Sequence, residues 1–148
     1  DDPKRRISLG RYYRLADAEY LTMQPKSPGE FAESVGIEMD TVSGDEVTAH
    51  VEILPKLHQP YGIAHGGVYC SIVETLASVG AATWWGERGR VVGVSNSTDF
   101  FRSTREGIIQ CRATPLHRGR STQVWVVEMK DEQDRLISRG QVRLQNLT

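Results

Sequence analysis

Two cysteines, Cys70 and Cys111, are all that this 148-residue chain contains, and neither sits in a CxxC or other ligand spacing. The four histidines, at 50, 58, 65 and 117, form no HxxxH or HExxH pattern. A metal centre and a disulfide scaffold are therefore not expected, and no cofactor is implied. A domain of this length buries roughly two thirds of its unfolded surface and needs neither staple. Surplus charge is missing as well. The formal net charge is -1, which favours neither nucleic acid nor an anionic membrane as a partner. No apolar run reaches the ~18 residues of a membrane span. Asp1-Asp2-Pro3-Lys4 does not read as a signal peptide, so a reduced, cytoplasmic protein is expected. There is no GxSxG, no internal repeat and no low-complexity linker.

What is present is ordinary for one globular domain: 39% hydrophobic and 25% charged residues. Residues 1–26 read as an N-terminal extension and 27–148 as the folded domain. In the extension, Lys4-Arg5-Arg6 with Arg11 and Arg14 reads first as a solvated terminus, with a phosphate-binding arm as the alternative. Residues 9 to 23 have the spacing of an amphipathic helix. Ser27-Pro28-Gly29-Glu30 then reads as a helix start, with Ser27 as N-cap and Glu30 completing a capping box. Gly36 stops that helix early.

From Glu46 the period changes to two. Val47, Ala49, Val51 and Ile53 alternate with Thr48, His50, Glu52 and Leu54, which predicts a half-buried strand with His50 on its exposed face. Between Gly66 and Gly86 apolar residues cover the whole helical circumference, the pattern of a buried helix. Four strands follow: Val91 to Phe101, Ile108 to His117, Thr122 to Lys130 and Leu136 to Leu147. Their short connections predict an antiparallel meander. A helix apolar all round cannot be hidden by one flat sheet face. The arrangement predicts an α+β domain in which a curved sheet, a second subunit, or both wrap the helix.

Glu74 breaks the pattern of that helix. It is the only carboxylate between Gly66 and Gly86, and it lies among Ile72, Val73, Leu76 and Ala77. Burying an unpaired carboxylate costs on the order of several kcal/mol, so the residue calls for a reason. It reads either as a catalytic group or as a structural ion pair across an interface. Ser78 falls on the same helix face, where it can hold the carboxylate. Just before the helix, His65-Gly66-Gly67 places two glycines at the free N–H groups of the first turn, which is what an oxyanion site for acyl transfer requires. His65 and Gln59 add side-chain donors at that mouth, with helix capping as the plainer role for His65. Glu74 is eight residues beyond Gly66, or ~12 Å along the axis at 1.5 Å per residue. One carbonyl cannot meet both within a chain, because reacting atoms must lie ~3 Å apart. If both act, the glutamate must come from a second subunit whose helix runs antiparallel.

Gln59, His65-Gly66-Gly67, Glu74 and Ser78, at these spacings, resemble the hotdog-fold acyl-CoA thioesterases of the phenylacetate-degradation and hydroxybenzoyl-CoA type. The likeness extends through Val91-Val92-Gly93, Asn96, Phe101-Arg102, Pro115-Leu116-His117-Arg118-Gly119-Arg120 and Asp131-Glu132, roughly residues 30 to 145. It implies a homodimer or homotetramer acting on an acyl-CoA, with catalytic roles for Glu74, Gly66, His65, Gln59 and Ser78. The Gly66 N–H would polarise the thioester carbonyl, supported by His65 and Gln59. Glu74 of the neighbouring subunit would be general base or nucleophile, with Ser78 holding it or the water. Substrate contacts are implied for Gly67, Asn96, Phe100, Phe101, Arg118, Gly119 and Arg120, the two arginines meeting CoA phosphates. Some relatives carry a histidine pair where this chain has Phe100-Phe101, and a proline in place of Ser103, so altered pantetheine or acyl contacts and a more apolar pocket wall are expected. A non-catalytic acyl-CoA binder and a hotdog hydratase or dehydratase are the competing readings. A serine or cysteine hydrolase is disfavoured because Cys70 and Ser71 lie inside the helix.

Overall fold

The computed structural model describes residues 28–148. The basic cluster, the helix read over residues 9 to 23 and the Ser27 cap lie outside the described residues. The first helix, α1 (Glu30–Val35), begins later than the capping-box reading placed it, with Gly29 at the N-cap position and no side-chain cap. Pro28 therefore precedes the helix instead of opening it. Its stop is as expected: Gly36 takes the left-handed conformation at φ 88°, and its N–H closes on Ala32 and Glu33 carbonyls.

Strand β1 (Glu38–Val42) was not foreseen. Acidic residues flank Met39, its one buried side chain, so no alternation announces it. It pairs antiparallel with β2 (Val47–Glu52), whose inward residues Val47, Ala49 and Val51 are fully buried. His50 lies on the outer face as expected, but it is not idle there. Its Nε2 meets Glu38 at 2.8 Å and its Nδ1 meets Asp40 at 2.9 Å. The hydrogen bond to Asp40 first, and then the field of both carboxylates, raises the imidazole above its ordinary 6.5. A raised folded value means that the stabilisation is complete below the unfolded value and is lost as pH rises through the folded one. The urea midpoint should accordingly fall from about pH 6.5 upward, and His50→Gln should remove that part of the decline. An identical pH profile for both proteins would rule out the link.

The long helix α2 (Gly66–Trp85) has 20 residues, or ~30 Å of length. It crosses the concave face of a six-stranded antiparallel sheet made of β1, β2, β3 (Arg90–Phe100), β4 (Ile108–Arg118), β5 (Thr122–Lys130) and β6 (Leu136–Leu147). Helix and sheet close on Trp125, which is fully buried against Gly80. A Cβ on that glycine would stand 2.5 Å from the indole. Strand β5 buries Trp125, Val127 and Met129 on its inner face and exposes Glu128, while Val126, on the same face as Val124 and Glu128 by alternation, is buried as well.

The four-strand meander needs correction. The strand order is β1-β2-β4-β5-β6-β3, so of the four expected strands β4, β5 and β6 follow one another as hairpins and β3 does not. Strand β3 pairs with β6 at the far edge, and the chain crosses back over residues 101–107 to enter β4. Three strand spacings come to ~14 Å, well within the reach of seven extended residues, so a hairpin-length connection also permits a crossover. As an edge strand β3 stays open on one side, and it exposes Val92, Val94 and Phe100. A β-bulge interrupts its pairing with β6 between Gly93 and Ser95. One long helix wrapped by such a sheet is the hotdog architecture.

Candidate active site

The entry to α2 is built by a tight loop. The Gly62 N–H donates to the Gln59 carbonyl at 3.0 Å, and the Gln59 N–H donates to Ile63 at 2.8 Å. The Ala64 N–H donates to the Thr104 carbonyl at 2.8 Å, which ties this loop to the crossover. The Gln59 side-chain oxygen accepts the Tyr61 N–H, so its NH2 end remains available as a donor. His65 is the N-cap of α2. Its Nδ1 accepts the Gly67 N–H at 2.8 Å, which leaves the proton on Nε2 of an exposed ring. Gly66 is the first residue of the helix, and its N–H meets no acceptor among the described residues.

The structure divides the expected mouth in two. Gln59, Gly66, Phe100 and Phe101 border a depression of about 300 Å³ floored by Tyr69. The Phe100 ring lies so close that a Cβ on Gly66 would meet it at 2.8 Å. Phe100 and Phe101 are 53% and 56% exposed and form the apolar wall the sequence suggested. His65 and Gly67 open instead onto a neighbouring hollow of about 370 Å³, with Phe31, Val35 and Ser71.

Glu74 lies two turns along α2, half-buried. The Asn96 side-chain NH2 donates both to Glu74 Oε2 and to the Cys70 carbonyl, each at 3.1 Å. Asn96 thus touches the carboxylate directly, where only a substrate contact had been expected of it. No hydrogen bond joins Ser78 to Glu74. Two residues to which the sequence assigned no role also belong here. The Thr98 hydroxyl donates to Asn96 Oδ1 at 2.7 Å, and Gly93 lies so near that a Cβ there would stand 2.3 Å from Glu74 Oε1. An isolated glycine in a strand pattern is the signal that marks such a close approach. Cys111 is unsuited to nucleophilic attack, because burial pushes its thiol far up, and Cys70 is a free, part-buried thiol within α2.

The arginines of the β4–β5 turn behave differently. Arg118 donates to the Gly44 carbonyl at 2.6 Å, pairs with Asp45 at 2.8 Å and lies 5.4 Å over the Trp84 ring. Arg120 is exposed and has no ion-pair partner among the described residues. Gly119 lets the turn close, its N–H donating to Thr122 at 2.8 Å while a Cβ would strike His117 at 2.7 Å. Behind it, Asn146 donates to the Gly119 and Arg120 carbonyls at 2.9 and 3.2 Å. Buried Gln123 bridges Asn146 to the Trp125 indole. Among the described residues no cluster of His, Cys, Asp or Glu could hold a metal ion, and no helix is long and apolar enough to cross a membrane.

A hotdog domain with open donors at the head of its central helix and a carboxylate midway along it defines a class of thioester hydrolases. Residues 61–138 match the thioesterase superfamily, and the chain belongs to that family. The esterase-named protein Rv1847 of Mycobacterium tuberculosis is 47% identical over 120 residues, 79% of this chain and 86% of its own. The 1,4-dihydroxy-2-naphthoyl-CoA hydrolase of Listeria monocytogenes is 34% identical over 71% of this chain and 85% of its own. Among solved structures, S. sahachiroi AziG superposes with a TM-score of 0.80 at 46% identity, covering 82% of this chain and 98% of that one.

Proposed function

We propose that this chain hydrolyses an acyl-CoA thioester to the free acid and CoA, in the manner of the phenylacetate-degradation and hydroxybenzoyl-CoA thioesterases, at a site shared by two subunits. The observation that carries this reading is Glu74, a carboxylate in an otherwise apolar helix, fixed beside an open strand edge. The Gly66 N–H, with the Gln59 amide beside it, polarises the thioester carbonyl, while His65, which opens onto the neighbouring hollow, caps the helix head that presents that N–H. Glu74 of the neighbouring subunit acts as general base on water or as nucleophile at the same carbon, with Ser78 within reach of that water. As general base, Glu74 takes a proton from water as the water oxygen bonds to the acyl carbon, the C–S bond breaks and the CoA thiolate takes that proton. As nucleophile, its oxygen displaces the CoA thiolate to form an acyl-glutamate anhydride, which water then cleaves to the free acid and the restored carboxylate, its proton going to the thiolate.

Two features support the second subunit. An eleven-residue edge strand exposing Val92 and Val94 is a surface that natural sheets cover. The other is distance. Trp84, beneath Arg118, is eighteen residues from Gly66, ~27 Å along the axis, but only ten from Glu74, ~15 Å. The Arg118–Arg120 turn therefore serves a substrate together with the glutamate of its own chain and the helix head of the other. A dimer is the minimal working unit, and the naphthoyl-CoA substrate named for the Listeria relative gives the acyl class to try first.

Thiol release from a panel of aryl- and fatty acyl-CoAs tests this directly. Arg120→Ala should raise KM for acyl-CoA roughly tenfold with little change in kcat, because a charge-assisted phosphate contact is lost. Short thioesters lacking the nucleotide should be unaffected. Arg118→Ala should chiefly lower the melting temperature, because it unties the β1–β2 turn. No thiol release from any acyl-CoA would leave a binder in place of an enzyme.

A further inference from the structure

We infer that β3 is a built seat for Glu74, in which Asn96 and Thr98 are positioning residues and Gly93 is the space that admits the carboxylate. The inference rests on the catalytic reading of Glu74 and goes beyond it by naming what sets the geometry of that group.

In an unbroken strand residues 93 and 96 point to opposite faces, because side chains alternate with period two. Here both meet the same carboxylate. The bulge between Gly93 and Ser95 makes this possible by shifting the phase of the strand by one residue. Beyond it the alternation resumes, and Thr98 falls in line behind Asn96. The Thr98 hydroxyl donates to the amide oxygen, so the amide must turn its NH2 toward α2. Those two protons are then shared between the Cys70 carbonyl and Glu74 Oε2. Thr98 is itself confined, since a Cβ on the facing Gly140 would stand 2.5 Å from its hydroxyl. The chain of restraint runs from β6 through Thr98 and Asn96 to one carboxylate oxygen. It leaves Oε1, over Gly93, as the oxygen not held by the amide.

The test is kinetic, on the intact oligomer with an acyl-CoA that the wild type hydrolyses. Gly93→Ala and Thr98→Val should each lower kcat about tenfold or more, because small misplacements of a reacting group are costly. KM and melting temperature should stay near wild type, as the added Cβ at 93 displaces only the end of a side chain. Thr98→Ser, which keeps the hydroxyl, should restore kcat. Asn96→Ala should match Thr98→Val, and in a Glu74→Ala background neither change should cost anything further. Should Glu74→Ala be inactive while Gly93→Ala, Asn96→Ala and Thr98→Val turn over normally, the seat is refuted and the catalytic reading stands. Loss of kcat only in step with melting temperature, without rescue by serine, would also refute it. Full turnover by Glu74→Ala would remove the seat's purpose together with the reading beneath it.

Discussion

Glu74→Gln and Glu74→Ala should each lose at least ~100-fold in turnover, the usual contribution of a well-placed acid–base group. Glutamine keeps the shape and can still accept the Asn96 hydrogen bond through its amide oxygen, so the helix should pack against β3 as before. Glutamine can neither take a proton from water nor attack the carbonyl carbon. The loss should therefore appear in kcat, while KM for acyl-CoA moves little, since the depression at Gly66 and the turn at Arg120 are untouched. Folding is monitored by the melting temperature and binding by competition with a non-hydrolysable acyl-CoA. Near-wild-type hydrolysis by Glu74→Ala would assign the residue to the interface alone.

Mixing two dead proteins should bring back a live one. Gly66→Val drives a side chain into the Phe100 ring, which already lies within 2.8 Å of the missing Cβ, and so closes the helix head. Glu74→Ala empties the opposite half. In a heterodimer of the two, one site receives both lesions and the other receives none. Random exchange makes half the dimers mixed, so activity should return to about a quarter of wild type if the sites straddle a two-fold axis. Exchange that is demonstrated by differential tagging yet restores nothing would place each site within a single chain.

The parts of this fold that could be read in advance were those with an unbroken period. The apolar circumference of α2 and the alternation in β2 both follow from burial of whole faces, and the sequence records burial well. Strand β1 was hidden because Glu38 and Asp40 are there for His50, a cross-strand partner that no local pattern announces. The position of β3 was misjudged because connection length alone does not separate a hairpin from a crossover. In the site, Glu74 stood out as a charge in the wrong company, and Gly66 as a glycine at a helix head. Arg118 and Arg120 looked alike in sequence, and the contacts of Arg118 with Gly44, Asp45 and Trp84 distinguish them. Thr98 gave no warning, and Gly93, though an isolated glycine in a strand, could not be matched to Glu74, because both roles depend on a bulge that shifts the phase of the strand.

Strand β3 both carries the open edge and holds Glu74, and in a shared site these two roles become one. A newly made chain then holds two half-sites and no whole one, and it gains activity only on meeting a copy of itself. At low abundance its output rises as the square of its concentration, because active enzyme forms by a second-order encounter. With a shared site, the exposed edge that makes a lone chain prone to stray pairing would also be the surface whose correct pairing switches it on.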